Sequence, residues 1–253
     1  MFLLSGKYGL ALKNFEKARK IDPSDVRPIV GLGDTYLGLK KPAKSIDLFR
    51  LAWEMIPNYY IAQAKLAKAL IRANRIQEGS LLLEQAIQQD PENLDARLEL
   101  VALQLTCSND MSASEHLEKC LAIAPQDPRV LYYHGIWLEM RRLITESLKD
   151  LYWASLAGGE FGLKAKVHMA DIYAGIGHQF LGNPFSNDTP DGKAHYQVYS
   201  NPEKAMRLYQ EVLAVNPNYP EAQRMQTWLD EKSDNIEAAQ QLEQTIQGRF
   251  RTR

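Results

Sequence analysis

An all-α solenoid of stacked helical hairpins is the fold this sequence predicts, and two observations predict it. The first is a set of residue columns that share one period. Pro23, Pro57, Pro91 and Pro125 stand 34 residues apart. Ala18, Ala52, Ala86, Cys120 and Ala154 keep that step, as do Phe15, Phe49, Leu83, Leu117 and Leu151. A further column runs through Leu32, Leu66, Leu100 and His134, with Gly33, Ala67, Val101 and Gly135 one place behind. Periods of this length mark units too small to bury their own apolar faces, which therefore stack. The second observation is that apolar residues inside each period fall at helical spacing.

Val26 to Pro57 is the clearest copy. Ile29, Leu32, Gly33 and Tyr36 share one face of a first helix, and after Lys40-Lys41-Pro42 a second face is built from Ile46, Phe49 and Ala52. Gly33 and Ala52 are small enough for two antiparallel helices to approach closely, while Tyr36 and Phe49 fill the space above and below. A proline at the end stops the second helix and turns the chain toward the next unit.

This pattern resembles the tetratricopeptide repeat, through Leu32, Gly33, Tyr36, Phe49, Ala52 and Pro57. Where that family has an alanine opening the second helix, the copies here carry Ala11, Ser45, Gly79, Ala113 and Ser147, all small. The resemblance covers roughly residues 6–217 and implies a right-handed α-α superhelix, closed by C-terminal capping helices. It also implies a binding scaffold and no catalytic activity. Related scaffolds grip acidic chaperone tails with lysines, asparagines and an arginine on successive first helices. The matching places here hold Val30, Asp34 and Glu99, with Lys65 lacking its companions, so the resemblance does not extend to chaperone tails.

At 253 residues a single globular core would be near its upper size, whereas a solenoid grows by adding units. Lysines and arginines number 30 against 31 acidic residues, which gives no electrostatic case for nucleic acid. No apolar run reaches the ~20 residues of a membrane helix, and Met-Phe-Leu-Leu-Ser lacks the length and charge of a secretory leader. Of the two cysteines, Cys120 occupies a small-residue column and reads as a buried stand-in for alanine, and its height relative to Cys107 disfavours a disulfide. The expected location is cytoplasmic; the periplasm, or membership of a larger exported protein, stays open.

One domain over 1–253 is expected. Residues 1–23 form a partial repeat that enters mid-unit, so the uncapped N-terminal end is a candidate for self-association, or the chain is a fragment. Full repeats follow at 26–57, 60–91, 94–125 and 128–159, with Asn93 and Asp127 placed as N-caps. The fourth ends at Gly158-Gly159 in place of proline. The next repeat, 163–217, is split: Pro125 to Pro217 spans 92 residues, 24 more than two periods, and the excess falls in 178–201. That insert carries four aromatics and is a candidate autoinhibitory loop over the groove. Residues 220–253 read as capping helices, with Ala222, Met225, Trp228 and Leu229 inward, then a glutamine-rich helix opened by Asp234 and Glu237.

No phosphate-cradling glycine loop, paired-cysteine zinc spacing or serine-nucleophile turn is present, so catalytic residues, metal and cofactor are all expected to be none. His178, Asp188, Asp191 and His195 share the insert and read as turn residues before metal ligands. Asn187-Asp188-Thr189 fits a glycosylation acceptor and Asn183-Pro184-Phe185 a short trafficking peptide; each is too short to carry a function. His134 reads as a hydrogen-bonded packing histidine.

Function is expected on the first helices, whose residues outside the packing face line a concave groove. Helical spacing selects Val30, Asp34 and Leu37; then Lys65, Lys68, Ile71 and Arg72; then Leu98, Ala102 and Leu105. Arg129, Tyr132, Ile136 and Met140 follow, and finally Lys164 and His168. Apolar anchors with a polar rim suit an extended or helical peptide. The alternative is a regulatory or assembly segment of a larger enzyme or secretion complex.

Overall fold

The computed structural model describes residues 8–56, 59–107, 110–175 and 199–227. Every regular element among them is a helix: α1 Tyr8–Ile21, α2 Val26–Gly38, α3 Pro42–Met55, α4 Tyr60–Arg72, α5 Ile76–Gln89 and α6 Leu94–Thr106. They continue as α7 Asp110–Ile123, α8 Pro128–Met140, α9 Ile144–Leu156, α10 Gly159–Tyr173 and α11 Pro202–Val215, with a further helical run, α12, over 220–227. This is an all-α repeat solenoid. The even-numbered helices from α2 to α10 are first helices, and the odd-numbered ones are second helices. The chain divides into two compact units: one runs through Ala165, and the other takes up α10 from Lys166 and includes α11 and α12.

Helix starts and stops repeat as regularly as the apolar columns. Asp25 and Asp127 each accept a hydrogen bond from the backbone N–H two residues on, at 2.9 and 2.8 Å, and Asn93 accepts from Ala96 at 3.0 Å. Such caps satisfy donors a helix leaves orphaned at its start. First helices end by a different device. Lys40, Asn74 and Arg142, spaced at one or two periods, adopt left-handed backbone with φ of 57°, 63° and 63°. In each case the next N–H reaches back to a carbonyl five residues earlier, as from Lys41 to Tyr36 at 2.9 Å and from Leu143 to Leu138 at 2.9 Å. This closure normally selects glycine, because any Cβ is strained there. The hairpins therefore turn by backbone geometry that residue type does not announce.

Within the first unit, the small-residue columns set how closely helices approach. A Cβ added at Gly33 would meet the Phe49 ring at 2.5 Å, and one at Gly135 would meet Leu151 at 2.9 Å. Ala52, Ala86, Cys120 and Ala154 are fully buried, as are Phe49, Leu83 and Leu151. Ala11, Ser45, Gly79, Ala113 and Ser147 are buried too, so the position opening each second helix does demand a small side chain. Ser45 adds a bond of its own, donating its hydroxyl to the Gly33 carbonyl. Burying a side chain such as Phe49 contributes about 1.5–3 kcal/mol, and these repeated contacts hold the hairpins together.

In the second unit the split repeat still closes as a hairpin. Tyr209 of α11 is fully buried and donates its hydroxyl to Asp171 of α10 at 2.6 Å. The Asn201 N–H donates to the Tyr173 carbonyl at 2.7 Å, and Lys166 pairs with Glu211. Asn201 caps α11 by accepting from Lys204 at 3.0 Å. Of the expected capping helices, Ala222 is buried and Met225 half-buried on α12. Pro57, most of the insert with its histidines and short motifs, and the chain from Trp228 onward lie outside the described residues.

Candidate functional site: the wall of first helices

Placing the sixteen expected groove residues divides them in two. Val30, Leu98, Leu105, Tyr132 and Ile136 are buried, and His168, in the second unit, is also buried. Leu98 packs with Cys120 and Val130, and Val30 belongs to the cluster around Ile29, Phe49 and Leu66. These six are corrected from groove to core. The physical reason is that first helices stack side by side, so residues on their flanks are covered by the next first helix. Helical spacing gives an angle around one helix and says nothing of what covers it. Leu37 and Ile71 are half-buried and pack against the same core clusters.

What remains at the surface of this wall is Asp34, Lys65, Lys68, Arg72, Ala102, Arg129, Met140 and Lys164. Most of the charges are matched across adjacent first helices. Lys65 of α4 bonds Asp34 of α2 at 2.8 Å, and Lys68 of α4 bonds Glu99 of α6 at 2.6 Å. Arg129 of α8 reaches Asp95 of α6 while also holding its own cap, Asp127, at 2.8 Å. Lys164 bonds Glu160 at 2.6 Å, one turn earlier on α10. Burial alone would lower the Lys68 pKa, but the Glu99 charge and hydrogen bond outweigh it and raise it. Hydrogen bonding to Asp127, against the opposing effect of burial, keeps Arg129 firmly charged, with Asp95 adding to it.

A cluster of three rings lies beside these pairs. Tyr132 and Tyr133 of α8 and Phe161 of α10 meet edge to face with centroids 5.2, 5.5 and 5.7 Å apart. The Lys164 ammonium sits 4.6 Å over the Phe161 ring. Burial, then the charges of Glu99 and Glu160, push the Tyr133 pKa well above its usual value, so its hydroxyl stays a protonated donor. Partial removal from water raises the Glu160 pKa, but Lys164 and then Lys68 and Lys65 overcome this and lower it. Arg72 acts on both Lys68 and Tyr133 and has no ion-pair partner among the described residues.

Spacing analysis missed Tyr133, Glu160 and Phe161. A signal for the paired charges was present: Asp34 to Lys65 and Lys68 to Glu99 are both steps of 31, one period less a helical turn. Among the described residues no group of three metal-ligating side chains gathers, and no helix is long and apolar enough to cross a membrane. His134 is half-buried, with Nδ1 2.5 Å from the Asp150 carboxylate and its ring stacked on Trp137.

A solenoid of helical hairpins with a continuous wall of first helices defines a repeat scaffold, and comparison with known proteins names the repeat. The tetratricopeptide-repeat family model matches residues 80–133. Superkiller protein 3 of Saccharomyces cerevisiae is 30% identical over 110 residues, or 44% of this chain; the chain spans only 8% of that relative's length. A thermophilic tetratricopeptide-repeat protein of Thermus thermophilus shares the fold with a TM-score of 0.61 at 12% identity, covering 81% of this chain and 98% of that one. A crystal structure of the APC/C hetero-tetramer Cut9–Hcn1 gives a TM-score of 0.57 at 15% identity, over 90% of this chain and 47% of the other. The matched stretch is a tetratricopeptide repeat, and the chain as a whole has the fold of an all-α solenoid of such repeats. Repeats of this family generally mediate contacts between proteins, and the family is generally non-enzymatic.

Proposed function

We propose that this protein is a scaffold whose first-helix wall binds a peptide segment of a partner, centred on Tyr133, Phe161, Lys164 and Arg72. The observation that carries this reading is the aromatic cluster next to a guanidinium without an ion-pair partner among the described residues, on a wall that otherwise neutralises its own charges. Aromatic rings and arginine are the residue types that dominate binding energy where proteins meet. The pairs from Lys65–Asp34 to Arg129–Asp95 fix the register of the helices that present them.

Selection from a displayed peptide library on the full chain, followed by calorimetry, tests this reading. Selected peptides are expected to lose at least tenfold in affinity against Arg72→Glu and against Phe161→Ala, at unchanged helicity. Equal affinity for both variants removes the wall as the site. A second reading, a segment of a larger assembly, is favoured by the similarity to a short stretch of one much longer protein. Under that reading a partner subunit, in place of a short peptide, occupies the same wall.

A further inference from the structure

We infer that the chain carries a second binding site, on the opposite side of α2, for a partner segment that pairs an apolar side chain with carboxylates. A cleft of about 730 Å³ lies between α1 and α3, within the size range of sites that hold ligands. Its origin is local packing. Phe15 of α1 closes on Gly31, and Phe49 of α3 closes on Gly33, each so tightly that a Cβ would stand 2.5 Å from the ring. The two second helices are thereby seated on α2 at neighbouring points, and the gap between them is floored by Leu32, Tyr36 and Leu48. At about 100° per residue, Leu32 and Tyr36 fall on the side of α2 turned away from Asp34, so the two sites share no residue.

The rim supplies the charge preference. Arg19 and Lys20 of α1 and Lys44 of α3 face the cleft, against Glu16 and Asp47. None of these five forms an ion pair among the described residues, in contrast to the first-helix wall, where Lys65, Lys68, Arg129 and Lys164 are each held by at least one carboxylate. Lys44 is held in place, its ammonium 5.2 Å over the Tyr36 ring at the floor. Apolar floor and cationic majority together fit an acidic segment with an aliphatic anchor: the anchor covers Leu32 and Leu48, and carboxylates meet the three cations. All three cations are exposed, and hydrogen bonds between ionised partners are shorter and stronger than neutral ones.

The test is an amide-shift titration of the isotope-labelled full chain with the acetylated, amidated hexapeptide Glu-Glu-Leu-Glu-Glu-Leu at 0.15 M salt. Saturable shifts are expected at the end of α1 and the start of α3, with affinity reduced at least tenfold in the Arg19→Glu/Lys44→Glu variant. Replacing the peptide's leucines by alanine, or its glutamates by lysine, is expected to abolish the shifts. Leu48→Gln tests the floor independently of the charges. The inference is overturned if shifts appear only on the first-helix wall, if none saturates up to millimolar peptide, or if either control peptide binds as well. Because the mapped residues differ, failure here leaves the wall untouched, and failure there leaves the cleft untouched.

Discussion

Lys68 and Glu99 stand 31 positions apart in sequence and 2.6 Å apart in space, joining two consecutive first helices by one ion pair. Their side chains are 28% and 22% exposed, so the pair is neither a solvated surface contact nor a sealed one. A double-mutant cycle with Lys68→Met and Glu99→Gln is expected to give a coupling of about 1 kcal/mol in urea unfolding. The coupling should shrink in 1 M salt. A value near zero at low salt would show that the two helices register without it.

The hairpin turns offer stabilising substitutions. Lys40 and Arg142 hold left-handed backbone at φ 57° and 63°, where a Cβ is strained. Lys40→Gly and Arg142→Gly are each expected to raise stability by up to about 1 kcal/mol, the relief of strain exceeding the added freedom of the unfolded chain. Arg142→Val, β-branched at the same site, should lower it. Thermal unfolding of the three variants checks the order.

Core predictions follow from the glycine contacts. Phe49→Ala opens a cavity against Gly33 and Ala52 and is expected to cost about 3–5 kcal/mol. Gly135→Val drives a side chain into Leu151, where a Cβ already stands 2.9 Å away, and is expected to cost about 1–3 kcal/mol. Urea unfolding of both variants would measure these losses; a neutral Gly135→Val would mean that α8 and α9 can separate freely.

Acid sensitivity should originate partly at His116. Its Nδ1 lies 3.5 Å from the guanidinium of the buried Arg97, which also donates to the Pro91 carbonyl at 2.7 Å. Burial first, then the Arg97 charge, with a minor share from Lys119, push the His116 pKa below its ordinary 6.5, against weaker pulls from Glu115 and Glu84. Since the folded value is the depressed one, the unfolded chain binds more protons as pH falls below about 6.5. The stabilisation is complete above that pH and is lost on acidification. The urea midpoint should drop between about pH 7 and pH 5, and drop less in His116→Gln. Carboxylates with lowered pKa, such as Asp127, act in a separate window below about pH 4.

The two cysteines should differ sharply in reactivity. Cys120 is fully buried, and burial pushes its thiol up to about 11, whereas Cys107 is exposed. Iodoacetamide at pH 8 is expected to label Cys107 within minutes and Cys120 only after unfolding, as intact mass would show.

Much of this architecture was legible in residue type because each unit repeats the same steric demands. Gly33 and Gly135 are glycines because a ring or a leucine lies against them; Ser45 and Ser147 are small because a first helix passes there. The turns were not legible, since Lys40, Asn74 and Arg142 share a conformation without sharing a side chain. The wall was half legible. Helical angle picks out Lys65 and Lys68, which are partly exposed and ion-paired, yet the same angle assigns Leu98 and Ile136 to a surface although they are buried. Tyr133 and Phe161 escaped because their prominence depends on a ring contact between α8 and α10, which no single helix encodes.

The matched charges of the first-helix wall also bear on how fast a visitor arrives. Lys65, Lys68, Arg129 and Lys164 have their fields cancelled within a few ångströms, and the chain as a whole carries −1. Little field extends into solvent to draw a partner in from afar. Encounter should therefore run at the unguided rate of about 10⁵–10⁶ M⁻¹s⁻¹ and barely respond to ionic strength, leaving discrimination among visitors to how long each one stays.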